Sequence, residues 1–178
     1  MVKKGRLGVR RFIKKELRAK IVRDLRRKRI HNEAELQSCV SKHLHRYLAK
    51  DKEWCVASQR FVRDTRTHPD LGLYRRKRIR VAIEVKETKR LGQKWFKKDA
   101  VRLHALWRKS SYPVIGFIIC LLREEKENEK DLEKKAKSWR TSSQRGHIFP
   151  IVINAPCHFT ETGWVKFDWH ENAKTDLR

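Results

Sequence analysis

Residues 113–122 read PVIGFIICLL, the longest apolar run in the chain. At ten residues it is far too short to span a membrane, which takes about 20. It has the length of a β-strand. Both alternating faces of such a strand are apolar, so both must be covered, as in a central strand with helices on either side of its sheet. This single requirement selects a layered α/β architecture.

A second segment has a different pattern. In residues 79–86, Ile79, Val81, Ile83 and Val85 alternate with Arg80, Ala82, Glu84 and Lys86. The first set faces a core. The second places a carboxylate and an ammonium as neighbours on a half-open face.

The remaining elements follow from periodicity. Asn32 reads as an N-cap, with Glu35 completing a capping box, ahead of a helix over about 33–49. Strands are expected at 54–63 and 69–74, with Arg75, Arg76, Lys77 and Arg78 as a turn into 79–86. Trp95, Phe96, Ala100, Leu103 and Trp107 mark the apolar face of a helix over 95–108. Residues 124–140 read as a charged helix with a thin stripe of Leu132, Ala136 and Trp139. Residues 148–153 are a further strand, placed at an edge by Pro150. The C-terminal GWVKFDW adds a last strand or packed turn. The order is helix, three strands, helix, strand, helix, strand, which a mixed sheet with helices on both faces satisfies.

Residues 1–31 form a basic arm ahead of a domain over 32–178. The arm carries fourteen Lys and Arg against Glu16 and Asp24, a net of +12. Phe12, Ile13, Leu17, Ile21 and Leu25 recur at helical spacing, so the arm is an amphipathic helix. It either grips phosphates or packs its stripe on the body, and the two are compatible. The whole chain of 178 residues carries 46 Lys and Arg against 21 acids, a formal net charge of +25. Such a charge opposes compaction unless a polyanion neutralises it, which points to nucleic acid. Six Trp and seven Phe argue against disorder.

Cys39, Cys55, Cys120 and Cys157 have no CxxC spacing and lie in or beside apolar segments. They are expected as buried free thiols of a protein in a reducing cytoplasm, associated with the nucleoid or, in a eukaryote, the nucleus. His43 and His45 are two apart on a helix and share no face, so no zinc site is expected. No apolar span or secretory leader is evident, so no membrane partner is expected.

The chemistry gathers around Pro69-Asp70 and Glu84-Val85-Lys86. Glu-x-Lys occurs four times, the others being Glu87/Lys89, Glu124/Lys126 and Glu133/Lys135. Only Glu84/Lys86 lies on the polar face of an alternating strand. Pro-Asp occurs once. A hairpin brings Asp70 beside Glu84, and two carboxylates that close call for a cation between them. A hard divalent ion such as Mg2+ suits oxygen ligands of this kind. The alternative is a salt-bridged triad at a sheet edge.

This combination resembles the PD-(D/E)XK nuclease superfamily, the restriction-endonuclease-like fold with an αβββαβ core, over roughly residues 32–122. The run Asn32-Glu33-Ala34-Glu35-Leu36-Gln37, with Gln93 in Arg90–Phe96, is also similar to the VRR-NUC branch. The chain departs from that branch in its basic arm and in Lys98-Asp99. The resemblance implies a metal-dependent endonuclease acting on DNA in preference to RNA. Asp70, Glu84 and the backbone carbonyl of Val85 would hold Mg2+, with Mn2+ able to substitute. Lys86 would orient the attacking water, and an acid from the preceding helix would bind a second metal ion or its waters. Glu33 is the candidate for that acid, because it shares the inward face with Leu36 and Val40, whereas Glu35 is the capping residue. The expected products are a 5′-phosphate and a 3′-hydroxyl. Arg75, Arg76, Lys77, Arg78, Lys89, Arg90 and Lys94 would line the rim as phosphate contacts. Cutting both strands of a duplex usually needs two sites, which leaves room for a homodimer. The other functional classes are a non-catalytic nucleic-acid-binding protein on the same fold and a basic ribonucleoprotein component.

Overall fold

The structure, a computed structural model, describes residues 5–59, 62, 67–110, 112–125, 127–155, 159–160 and 163–164. Lys126, Cys157 and the end of GWVKFDW lie outside the described residues.

A five-stranded mixed sheet runs in the order β1-β2-β3-β4-β5. Its strands are β1 (Trp54–Ser58), β2 (Leu71–Arg75), β3 (Arg78–Thr88), β4 (Ile115–Leu122) and β5 (Ile148–Asn154). The first three pair antiparallel, whereas β3, β4 and β5 are parallel. Parallel neighbours need crossover connections. These are α4 (Gln93–Lys109), between β3 and β4, and α5 (Glu129–Ser138), between β4 and β5. A separate two-stranded hairpin is formed by β6 (Phe159–Thr160) and β7 (Gly163–Trp164).

The expectation from residues 113–122 is met. Every residue of β4 is buried. Phe117, Ile119 and Leu121 enter one core, while Ile118, Cys120 and Leu122 enter the other. Gly116 lets α4 approach closely, since a Cβ there would stand 3.1 Å from Leu103 Cβ. β5 is an edge strand, which accommodates Pro150.

The face carrying Val81, Ile83 and Val85 is covered by α1 (Arg6–Arg11), a π-helical segment (Phe12–Leu17), α2 (Arg18–Arg26) and α3 (Glu33–Leu48). The N-terminal stripe belongs to this core: Phe12, Ile13, Leu17 and Ile21 are buried, and Phe12 stacks on Tyr47 at 3.9 Å. Arg10 and Lys14 lie over the Phe149 ring, and Arg18 pairs with Glu129 and Glu133 of α5. Several of the arm's cations thus dock it to the body. Ile21→Ala should cost about 2–4 kcal/mol in denaturant unfolding. A loss below 1 kcal/mol would mean that this helix unfolds apart from the core.

Several sequence expectations need correction. β1 ends at Ser58, and the charged helix begins only at Glu129, capped by Asn128. Cys39 and Cys120 are buried as expected, whereas Cys55 falls on the outer face of β1 and is exposed. On α4 the buried set is Phe96, Ala100, Leu103 and Leu106, whereas Trp107 is exposed. Ile79 joins the α4 side of the sheet and not the face of Val81. The cause is a bulge: Leu73 pairs with Val81 and Tyr74 with Ile79, so Arg80 is an extra residue and the faces swap there. The polar face of β3 is not half open either. α4 covers it, leaving Ala82 and Glu84 buried.

Candidate active site

β2 and β3 form a hairpin in which Leu71 pairs with Ile83. Continuing that register one residue outward sets Asp70 across from Glu84, where β2 has ended and β3 continues. The Asp70 carboxylate caps this end: the Val85 N–H donates to Asp70 Oδ2 at 2.7 Å. The Asp70 carbonyl accepts from Gln37 Nε2 at 2.9 Å and from the Gln59 N–H at 3.1 Å. The bend that presents Asp70 is therefore tied to α3 and to the end of β1.

Glu84 is only 3% exposed. Burial is the main cause pushing its pKa up to about 8, with the Asp70 charge as the next contribution. Arg102 opposes the shift, its Nη1 lying 3.7 Å from Glu84 Oε2 and 3.3 Å from Asp99 Oδ1. Arg102 is held in turn by the His68 carbonyl, which accepts from Nη2 at 3.0 Å. Asp99 is also buried, and its pKa is raised, first by burial and then by Asp70, against the pull of Arg102 and Lys86.

Glu33 stands in the first turn of α3, where the helix dipole favours a carboxylate. It reaches across to β3. Lys86 Nζ lies 3.0 Å from Glu33 Oε2 and 3.2 Å from Oε1, and the Glu87 N–H donates to Oε2 at 3.1 Å. Burial works to lower the Lys86 pKa, but the hydrogen bond and charge of Glu33, with Asp99 and Asp70, outweigh it. The ammonium therefore stays charged. Glu35 has the other role: its N–H donates to Asn32 Oδ1 at 2.9 Å, and its carboxylate accepts from the His31 N–H.

Asp70, Glu84, Lys86 and Glu33 thus come together at one end of the β2–β3 hairpin. Sequence inspection missed Asp99, Arg102 and Gln37. Asp99 did leave a signal, since a carboxylate three residues after Phe96 falls on the apolar face of α4.

The flanking cations divide into two groups. Lys89, Arg90 and Lys94 are exposed and follow the end of β3 at the site, and Lys89 pairs with Glu124. Arg75, Arg76, Lys77 and Arg78 do not lie at the rim. The turn sits at the opposite end of the hairpin, since Arg75 pairs with Arg78. Five residues of strand separate Arg75 from Asp70, roughly 17 Å. Both guanidinium groups of Arg75 and Arg76 are bound to the Glu53 carboxylate.

A second buried cluster joins α2 to α3. Asp24 Oδ2 accepts from Cys39 Sγ at 3.3 Å, from Lys42 Nζ at 3.0 Å, and lies 2.9 Å from His43 Nε2. Asp24, Cys39 and His43 are a donor set of a kind that could hold a metal ion, and the one-turn spacing of Cys39 and His43 escaped the search for paired histidines. Here the Lys42 ammonium already supplies the positive charge. Burial works to raise the Asp24 pKa, but the Lys42, His43 and Cys39 hydrogen bonds win and hold it well below the carboxylate range. Burial, followed by Asp24, pushes the Cys39 thiol up to about 12, so it is no nucleophile.

Among the described residues, no helix is long and apolar enough to cross a membrane. No family model matches the chain, and no curated protein does. Among solved structures, the cAAA-bound form of NucC from P. aeruginosa ATCC27853 is similar, at 11% identity and a TM-score of 0.47, over 84% of this chain and 78% of that one.

Proposed function

We propose that the chain is a metal-dependent nuclease of the PD-(D/E)XK type that hydrolyses phosphodiester bonds in DNA. The observation that carries this is the pair Asp70 and Glu84. Two carboxylates are held side by side, one buried and pushed up to about 8, at the end of a strand that presents Lys86 two residues on. No packing requirement calls for such a pair on a central strand, and a cation would relieve its repulsion.

Asp70, Glu84 and the Val85 carbonyl would hold Mg2+ or Mn2+. In a strand the N–H and C=O of one residue point to the same side, so the Val85 carbonyl is directed towards Asp70. When bound, the ion polarises the phosphate and lowers the pKa of a water. The remaining chemistry belongs to the chain. Glu33 holds the Lys86 ammonium in place, and Lys86 orients the water and offsets negative charge developing on the phosphoryl oxygens. Arg102 keeps Glu84 and Asp99 together, and Gln37 fixes the bend that carries Asp70. Water adds to phosphorus and the 3′ oxygen leaves, giving a 5′-phosphate and a 3′-hydroxyl. The net charge of +25 supports a polyanionic substrate.

The test is cleavage of plasmid and labelled oligonucleotides in Mg2+ or Mn2+. Wild type should cleave, EDTA should stop it, and Asp70→Ala should lower the rate by about 10³-fold or more. No cleavage of any DNA form by wild type, or equal cleavage by Asp70→Ala, would overturn the assignment.

A further inference from the structure

Helix α2 ends in four consecutive cations, Arg26, Arg27, Lys28 and Arg29, all exposed. The chain closes there in a Schellman motif: the Lys28 N–H donates to the Leu25 carbonyl at 2.9 Å and the Arg29 N–H to the Asp24 carbonyl at 3.0 Å. The corner residue of this motif takes the left-handed conformation and is usually glycine. Here it is Lys28, at φ 53°. A lysine at that corner carries a strain that glycine would relieve. The helix dipole favours cations near a C-terminus, but that preference does not call for a side chain at the one position suited to glycine. Arg76 and Lys77 are left-handed as well, but a two-residue hairpin demands this of both positions.

The corner is connected to the candidate active site. Residues 30–32 lead from it directly into Glu33. Arg123 fastens this connection: Nη2 donates to the Ile30 carbonyl at 3.1 Å, and Nε to Glu87 Oε1 at 2.6 Å. The Glu87 N–H then donates to Glu33. Glu33 follows Arg29 by four positions, at most about 14 Å of chain. The corner is also backed from below, since Asp24 is fixed by Lys42 and His43. Arg29 Nη1 lies 3.8 Å from Asp24 Oδ1, while the side chain stays 57% exposed.

We propose that the corner Arg27–Lys28–Arg29 is the phosphate-binding rim of this site, gripping the DNA backbone a few nucleotides from the scissile bond. This rests on the nuclease assignment above. It also replaces the hairpin turn, which lies at the far end of the sheet, as the contact that seats the substrate.

The experiment measures fluorescence anisotropy of a labelled duplex of roughly 25 base pairs with the full chain in EDTA, across a salt series, beside thermal unfolding. Lys28→Gly should raise Tm by roughly 2–4 °C and reduce the slope of log affinity against log salt by about one. Lys28→Asn, which tolerates the left-handed corner, should reduce the slope equally. Arg27→Gln/Lys28→Gly/Arg29→Gln should reduce it by about two to three and weaken binding roughly tenfold or more. Lys77→Gln, in the hairpin turn at the far end of the sheet, should change neither. An unchanged slope in Lys28→Gly and in the triple variant overturns the proposal, as does a wild type that binds no duplex. If wild type binds with the expected slopes but does not cleave in Mg2+, the nuclease assignment fails and the phosphate contact stands. If it cleaves and the slopes do not move, the rim alone is refuted.

Discussion

Glu84→Gln should raise the thermal stability of the metal-free protein above pH 8 while abolishing cleavage. The Glu84 pKa rises from 4.5 to about 8 on folding, mainly through burial and then through Asp70. The folded state therefore binds this proton more tightly than the unfolded state does. The resulting stabilisation is fully present below pH 4.5 and is lost as pH rises through 8. Its full size is on the order of 5 kcal/mol. Gln at this position does not titrate, so that part of the pH dependence should vanish. Measured by thermal unfolding in EDTA between pH 5 and 9, wild type should lose stability relative to Glu84→Gln over this window. Parallel curves would show that Glu84 is ionised throughout. Magnesium should act in the opposite direction, because it needs the ionised carboxylate. Binding at pH 7 should release close to one proton, seen as a buffer-dependent heat in calorimetry.

Lys86→Ala should lower cleavage by about 10³-fold while leaving metal-dependent stabilisation in place. Lys86 is not among the groups assigned to the ion, so its loss removes the charge that faces the phosphate and nothing that holds the metal. Glu33→Gln is the informative companion. It keeps the shape but weakens the hold on Lys86, so its effect should be smaller and should largely disappear in the Lys86→Ala background. Additive losses in single-turnover rates would mean that Glu33 acts independently of Lys86.

Much of the site was legible in the sequence for a definite reason. Alternation along 79–86 sets Glu84 and Lys86 on one face whatever the rest of the chain does. A single Pro-Asp ahead of a short strand leaves few partners for them. Helical spacing also separates Glu33 from Glu35, because only one of them shares the face of Leu36 and Val40. What escaped depends on contacts between elements. Asp99 and Arg102 matter because α4 lies over Glu84, which no local pattern states. The bulge at Arg80, visible only through the pairing of Leu73 and Tyr74, moved Ile79 to the other core.

The cationic segments mark the boundary between the two kinds of information. Composition alone establishes a strongly basic chain, because charge is a property of the residues, and it supports the polyanionic partner proposed above. Which cations lie beside the site is a matter of direction. An antiparallel hairpin carries its turn away from the strand end that holds Asp70, so Arg75, Arg76, Lys77 and Arg78 point to the far end of the sheet. The fold of the N-terminal helix onto α3 brings Arg27, Lys28 and Arg29 close to Glu33 instead. Local periodicity determined most of the strands and helices and set Glu84 and Lys86 on one face of β3. Only the tertiary structure decided what surrounds them, because burial, repulsion and proximity arise between segments that the sequence keeps apart.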